Sequence, residues 1–211
     1  MKMRIGILDY KAGNVKSVAS ALKYIGVQST VVSLPSQLRD ITGLIIPGVG
    51  SFKEAAFNLN KSGFTKSIIE DFAKTKKVLG ICLGMQIMYD YGTEEGISSG
   101  LGIFSGKVDL LDKSVVTPHM GWNRIDIKRQ TKLTRGLDNS FDGYFAHSYR
   151  IYDSMEEVSG ICNYTSDMPV MISKGNIYGV QFHSEKSGNN GLRLLKNFKE
   201  MCYEDYTISR H

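Results

Sequence analysis

The chain has 211 residues, 42% of them hydrophobic and 22% charged, with a net charge of +5 from 26 basic and 21 acidic side chains. The basic residues are scattered without interleaved aromatics, which argues against a nucleic-acid stripe, and the apolar runs fall short of a membrane span. Three distant cysteines, Cys82, Cys162 and Cys202, argue against a disulfide or zinc scaffold and point to a reduced, cytoplasmic compartment. The N-terminal apolar run is too short for a signal peptide, and one domain spanning residues 1–211 is expected.

The first half alternates strands and helices. Arg4–Leu8 reads as a short strand, and Asn14 is placed to cap a helix whose apolar face is Val15, Val18, Leu22 and Ile25, ending at Gly26. Ser29–Ser33 is β-branched and strand-like. Leu44-Ile45-Ile46 is an apolar strand stopped by Pro47-Gly48-Val49-Gly50. Helices are expected around Ser51–Leu59 and Thr65–Thr75, followed by the apolar strand that ends at Cys82 and an apolar, helix-like segment after it. Such alternation with nearly continuous apolar strands predicts a parallel sheet covered on both faces.

The second half changes character. Lys107–Leu111 and Asn123–Lys128 read as strands that would pair antiparallel across the turns between them. Gly143–Tyr149 is an aromatic strand. Val170–Ser173 and Ile177–Phe182 form a hairpin across Lys174-Gly175-Asn176, and a final helix presents Leu192, Leu195, Phe198 and Cys202. The expected class is α/β with a mixed, mainly parallel sheet, helices on both faces and antiparallel strands in the second half.

Three segments carry candidate chemistry. Gly80 and Gly84 flank Cys82 at minus two and plus two, the spacing of a nucleophile elbow with sulfur in place of a hydroxyl. A thiol on such a turn sits at the carboxyl end of the sheet, where neighbouring amides favour a thiolate and an oxyanion. The alternative is a buried cysteine in an ordinary β–α turn. His183 and Glu185 lie two apart beyond a strand, so they share one face, and the carboxylate would orient the imidazole. A polar loop is the bland alternative. Pro47-Gly48-Val49-Gly50 follows a buried strand, and with the Leu83 amide it would supply oxyanion donors; alone it is equally a plain turn. No Walker or dinucleotide pattern occurs, and the spacing of His119, His147 and His183 gives no metal site. No cofactor is expected.

Together these segments resemble the class I (triad) glutamine amidotransferases. The resemblance covers nearly the whole chain and includes Asp9-Tyr10, Gly13-Asn14, Gly84-Met85-Gln86, Gly100-Leu101-Gly102, Pro118-His119-Met120-Gly121-Trp122-Asn123 and Tyr144-Phe145-Ala146-His147-Ser148-Tyr149. It implies a flavodoxin-like fold that hydrolyses L-glutamine through Cys82, His183 and Glu185, with Val49, Gly50 and Leu83 as the oxyanion hole. Gly48, Gly50, Gln86, His147, Ser148 and Tyr149 would bind glutamine. The finer match is to members that pass ammonia to a HisF-like (β/α)8 synthase subunit in histidine biosynthesis, forming a heterodimer. The products there are imidazole glycerol phosphate and the aminoimidazole carboxamide ribotide. Trp122, Asn123, Tyr144 and Lys186 match positions facing that barrel.

Two departures stand out. Ser184 occupies the position between histidine and glutamate where the family usually has proline, and Lys11-Ala12 replace commonly smaller residues. They keep open a paralogue that feeds a sugar-amidating synthase of surface polysaccharide formation. A non-catalytic partner protein and a cysteine peptidase on a related fold are the remaining readings.

Overall fold

The computed structural model describes residues 4–152, 155–164 and 166–208. Strand β1 (Ile5–Leu8) leads to helix α1 (Val15–Tyr24), β2 (Ser29–Val32), β3 (Gly43–Gly48), α2 (Phe52–Lys61), α3 (Lys66–Ala73) and β4 (Lys77–Cys82). The helix starts are set by side-chain caps: Asn14, Ser51 and Thr65 accept from the backbone N–H groups of Ser17, Glu54 and Ile68. A one-turn helix α4 (Leu83–Gln86) follows the elbow, then β5 (Tyr89–Gly92), β6 (Ser98–Ser99) and β7 (Phe104–Leu110). The chain continues through β8 (His119–Ile127), β9 (Ser140–His147), β10 (Tyr149–Tyr152), β11 (Val158–Asn163), β12 (Asp167–Lys174) and β13 (Ile177–Val180), and closes on α5 (Gly188–Ile208).

Nine strands form one sheet in the order β2-β1-β3-β4-β13-β12-β11-β8-β9. The five from β2 to β13 run parallel, and the remaining neighbours pair antiparallel. Alternation along each strand divides the core. Leu44 and Ile46 of β3 join Phe52, Leu59, Ile69 and Phe72 of α2 and α3, whereas Ile45 joins Val18 and Leu22 of α1 and Leu195 and Phe198 of α5. Helices therefore cover both faces of the parallel part. A second sheet, β10-β7-β5-β6, packs its Tyr89, Phe104, Val108 and Ile151 into the core on the α2–α3 side.

Three expectations are corrected. The strand at Leu44–Ile46 does not stop at Pro47 but runs to Gly48, pairing with β4 as far as Cys82. Proline is tolerated because β1 pairs with β3 only as far as Ile45, so no ladder bond on that side needs the missing N–H. The Pro47 carbonyl instead accepts from the Tyr10 hydroxyl at 2.8 Å. Strands β7 and β8 do not pair with each other, because they belong to different sheets. The aromatic run 143–149 is likewise two strands. It leaves the large sheet at His147 and enters the small one at Tyr149, with the Ser148 carbonyl bonded to Leu111 N–H at 2.9 Å.

The elbow closes only because its flanks lack side chains. A Cβ on Gly84 would stand 1.8 Å from the Ile46 carbonyl oxygen, and one on Gly80 would stand 2.6 Å from the Gly84 oxygen. Both obstacles are backbone, so neither can swing aside. Gly84→Ala is expected to destabilise the fold by about 3 kcal/mol or more, read as a lowered urea midpoint. Unchanged stability would show that the elbow tolerates separation from β3.

Candidate active site

Cys82 ends β4 with φ 55° and ψ −116°, a left-handed conformation rare for a residue with a side chain. The turn lifts its sulfur above the carboxyl end of the sheet while keeping it only 5% exposed. His183 lies directly after β13, the strand paired in parallel with β4, so adjacent strand ends deliver thiol and imidazole to one point. The Glu185 Oε1 accepts from His183 Nδ1 at 2.9 Å, and the Cys82 sulfur lies near enough to raise the imidazole pKa. Gln181 Nε2 approaches that sulfur at 3.7 Å.

Burial opposes a charge on His183, but the Cys82 sulfur and the Glu185 carboxylate outweigh it and raise its pKa from 6.5 to about 10. The site therefore favours a protonated imidazole beside the sulfur, ready to give a proton to a leaving group.

A cleft of about 220 Å³ opens over the sulfur. Its walls include Val49, Gly50, Leu83, Gln86, His147, Ser148 and Tyr149, so most residues expected to hold substrate converge there. Gly48 is not in the wall. It packs behind the elbow, where a Cβ would stand 2.6 Å from Gly84 N and 2.7 Å from the Tyr10 hydroxyl. Gln86 donates to the Tyr149 carbonyl at 2.8 Å and to Gln181 Oε1 at 2.9 Å. Leu83 opens α4, so its amide has no intrahelical acceptor. The Val49 N–H, by contrast, is donated to the Ala12 carbonyl at 2.8 Å and does not point at the sulfur. Gly50, at φ 101° with open space around it, supplies the freedom that a rearrangement of this peptide needs.

Sequence reasoning missed Glu94, Pro118, Met120 and Ala146 in the cleft wall. Glu94 is the informative omission: it adds a carboxylate and also accepts the Phe52 N–H at 2.6 Å. It sits after β5 in the small sheet, and no motif spacing links it to Cys82. The two departures also find their places. Lys11 takes φ 65°, where glycine is at ease, and Ser184 is fully buried with no hydrogen-bond partner for its Oγ.

Beside the cleft, Trp122 is 57% exposed and meets the Tyr144 ring edge-on at 6.0 Å, with the Lys186 ammonium 5.9 Å from the same ring. Met120 and Val49, both exposed and both in the cleft wall, extend this apolar surface to the cleft. The Tyr144 carbonyl accepts the His183 N–H at 2.9 Å, which ties the surface to the base.

Comparison with known proteins agrees with this geometry. The family model for glutamine amidotransferase class-I matches residues 6–201. The chain is 43% identical over 201 residues to imidazole glycerol phosphate synthase subunit HisH of Listeria monocytogenes serovar 1/2a, covering 94% of this chain and 96% of that one. It is 41% identical over 198 residues to the protein of the same name from Caldanaerobacter subterraneus subsp. tengcongensis, covering 93% and 98%. A crystal structure of a glutamine amidotransferase shares the fold, with a TM-score of 0.74 over 94% of this chain and 98% of that one at 20% identity.

The charge balance at His183 sets a pH dependence. Its stabilisation is complete below the ordinary imidazole value of 6.5 and is lost as pH rises through about 10. Imidazole NMR of Glu185→Gln is expected to show the His183 midpoint lowered by about one unit or more, since a carboxylate partner is gone. An unmoved midpoint would mean that Glu185 does not hold the charge.

Proposed function

The chain belongs to the class-I glutamine amidotransferase family, and from that premise we propose how its residues release ammonia and where the ammonia goes. It is a glutaminase-type subunit serving imidazole glycerol phosphate synthesis, in line with relatives that cover nearly its whole length. Those relatives do not favour the sugar-amidating alternative. The observation that carries the chemistry is the elbow cysteine at the end of β4, beside an imidazole that is itself held by a buried carboxylate.

The Cys82 thiolate attacks the side-chain amide carbon of glutamine, and the carbonyl pair moves onto oxygen. The Leu83 amide supports that oxyanion. The tetrahedral intermediate collapses as His183 gives its proton to the departing nitrogen, leaving ammonia and a glutamyl thioester. Water then attacks the thioester with His183 as base, and glutamate leaves as the thiolate is restored. Glu185 keeps the imidazole oriented through both halves. Gln86, Gly50 and the 147–149 segment hold the substrate, while Glu94 offers a counter-charge for its ammonium group.

The second oxyanion donor is the Val49 N–H, now bonded to Ala12. Activity therefore requires that bond to break and the Val49–Gly50 segment to turn. The partner that triggers this is a HisF-like (β/α)8 synthase in the same cytoplasmic compartment, docked on Trp122, Asn123, Tyr144 and Lys186. Gating fits the chemistry, because ammonia released without an acceptor wastes glutamine.

Cys82→Ala is expected to lower glutamate release by more than about a thousandfold while the partner's ammonia-driven synthesis persists. Loss of both would indicate a structural role instead. Trp122→Ala is expected to weaken partner binding by about tenfold or more in titration calorimetry. Glutamate release by the wild-type protein is expected to rise when the partner carries its substrate, and equal rates with and without it would rule out the gate.

A further inference from the structure

Two of the histidines that the triad does not use touch each other. His119 on β8 and His147 on β9 are registered partners, and His119 Nδ1 lies 2.9 Å from His147 Nε2. His147 Nδ1 lies 2.8 Å from the Tyr149 carbonyl, and Asn123 Nδ2 lies 2.8 Å from His119 Nε2. Both rings are buried, at 2% and 7% exposure. His119 is clamped between Phe145 and Tyr164, stacked at 4.5 Å and 4.0 Å.

The proton positions follow from the acceptors. A carbonyl only accepts, so His147 must carry its proton on Nδ1. A neutral His147 then offers a lone pair at Nε2, which requires a proton on His119 Nδ1. His119 Nε2 is left as an acceptor, and the Asn123 amide supplies its donor. Every polar atom of both rings is satisfied in this one arrangement, with all donors pointing toward the cleft. Burial agrees, since it lowers His119 to about 4 and His147 to about 3 and keeps both neutral.

The chain of bonds does not stop at Tyr149. Its carbonyl also accepts from Gln86 Nε2, which donates in turn to Gln181 Oε1, and Gln181 reaches the Cys82 sulfur. We propose that Asn123, His119 and His147 form a neutral hydrogen-bond relay that positions the Tyr149 carbonyl and Gln86, so that β8 sets the shape of the substrate cleft. This rests on the glutaminase reading for its kinetic consequence, though not for its proton arrangement. His119 is a positioning residue: it acts through His147, Tyr149 and Gln86 and moves no proton in the reaction. The signature is loss of substrate affinity with the chemical step largely retained, because the thiolate, base and Leu83 amide lie outside the relay.

Two measurements test it. Long-range imidazole ¹⁵N NMR of the wild-type chain should show both rings neutral and protonated at Nδ1 at neutral pH, the less common tautomer. Either ring protonated at Nε2 or charged would overturn the relay without bearing on the glutaminase reading. The second is glutamate release by the complex with its barrel partner. His119→Phe keeps the stack but leaves His147 Nε2 without a donor, and the glutamine KM should rise about tenfold with kcat within about threefold. His119→Asn places an amide N–H near the lost Nδ1–H and should recover most of the affinity. Overturning results are a Phe variant with wild-type KM, or an Asn variant as impaired as the Phe one. Absence of glutamate release by the wild-type complex would fail the glutaminase reading instead, and the tautomers would still judge the relay.

Discussion

Everything at this site depends on the backbone of one residue. Cys82 holds φ 55° because β4 must end and α4 must begin without an intervening loop, and conformations of this kind cost about 1–3 kcal/mol. The strain persists because the surroundings leave no alternative. Gly84 is packed against the Ile46 carbonyl, and Gly48 against the Gly84 amide. The same closeness that forbids side chains at these glycines brings the end of β3 beside the end of β4. The Val49–Gly50 segment therefore emerges at the sulfur as a consequence of sheet packing.

Parallel strands supply the rest of the alignment. β13 lies in register with β4, from Ile177 opposite Val78 to Val180 opposite Ile81. The residues leaving β13 consequently emerge next to Cys82. The segment is not extended beyond His183, as its spacing suggested, but makes a 3-10 turn over Ser184–Lys186 that brings the Glu185 carboxylate onto the imidazole. An antiparallel strand in this place would have sent that segment to the far edge of the sheet. Charge is balanced locally: burial would neutralise the imidazole, and the neighbouring sulfur and the Glu185 carboxylate oppose it.

The sequence revealed what is local. Capping residues, apolar periodicity and the Gly-x-Cys-x-Gly spacing are short-range signals, and α1, α2, α3 and the elbow appear where those signals lie. Pairing of the second half was not legible, because β7 and β8 are adjacent in sequence yet join different sheets, a choice made by tertiary packing. Pro47 misled for the same reason: whether a proline can sit in a strand depends on which neighbour ends early. Glu94 and the His119–His147 contact were hidden as well. The histidines stand 28 residues apart and meet only through the β8–β9 register.

That register gives the exposed face two separate holds on the site. Tyr144 shows its ring beside Trp122 and Lys186, while its carbonyl holds the His183 N–H. Asn123, one residue from Trp122, reaches the cleft wall through the two imidazoles. A third element, Val49, is itself 43% exposed on the same surface and keeps its amide turned away toward Ala12. Base, substrate wall and oxyanion loop thus each have one end on a single apolar patch. A body seated there displaces water from all three at once, so switching need not travel across the fold. The proposed ammonia acceptor and the proposed trigger then dock on one surface, which is the arrangement that releases ammonia only where it can be used.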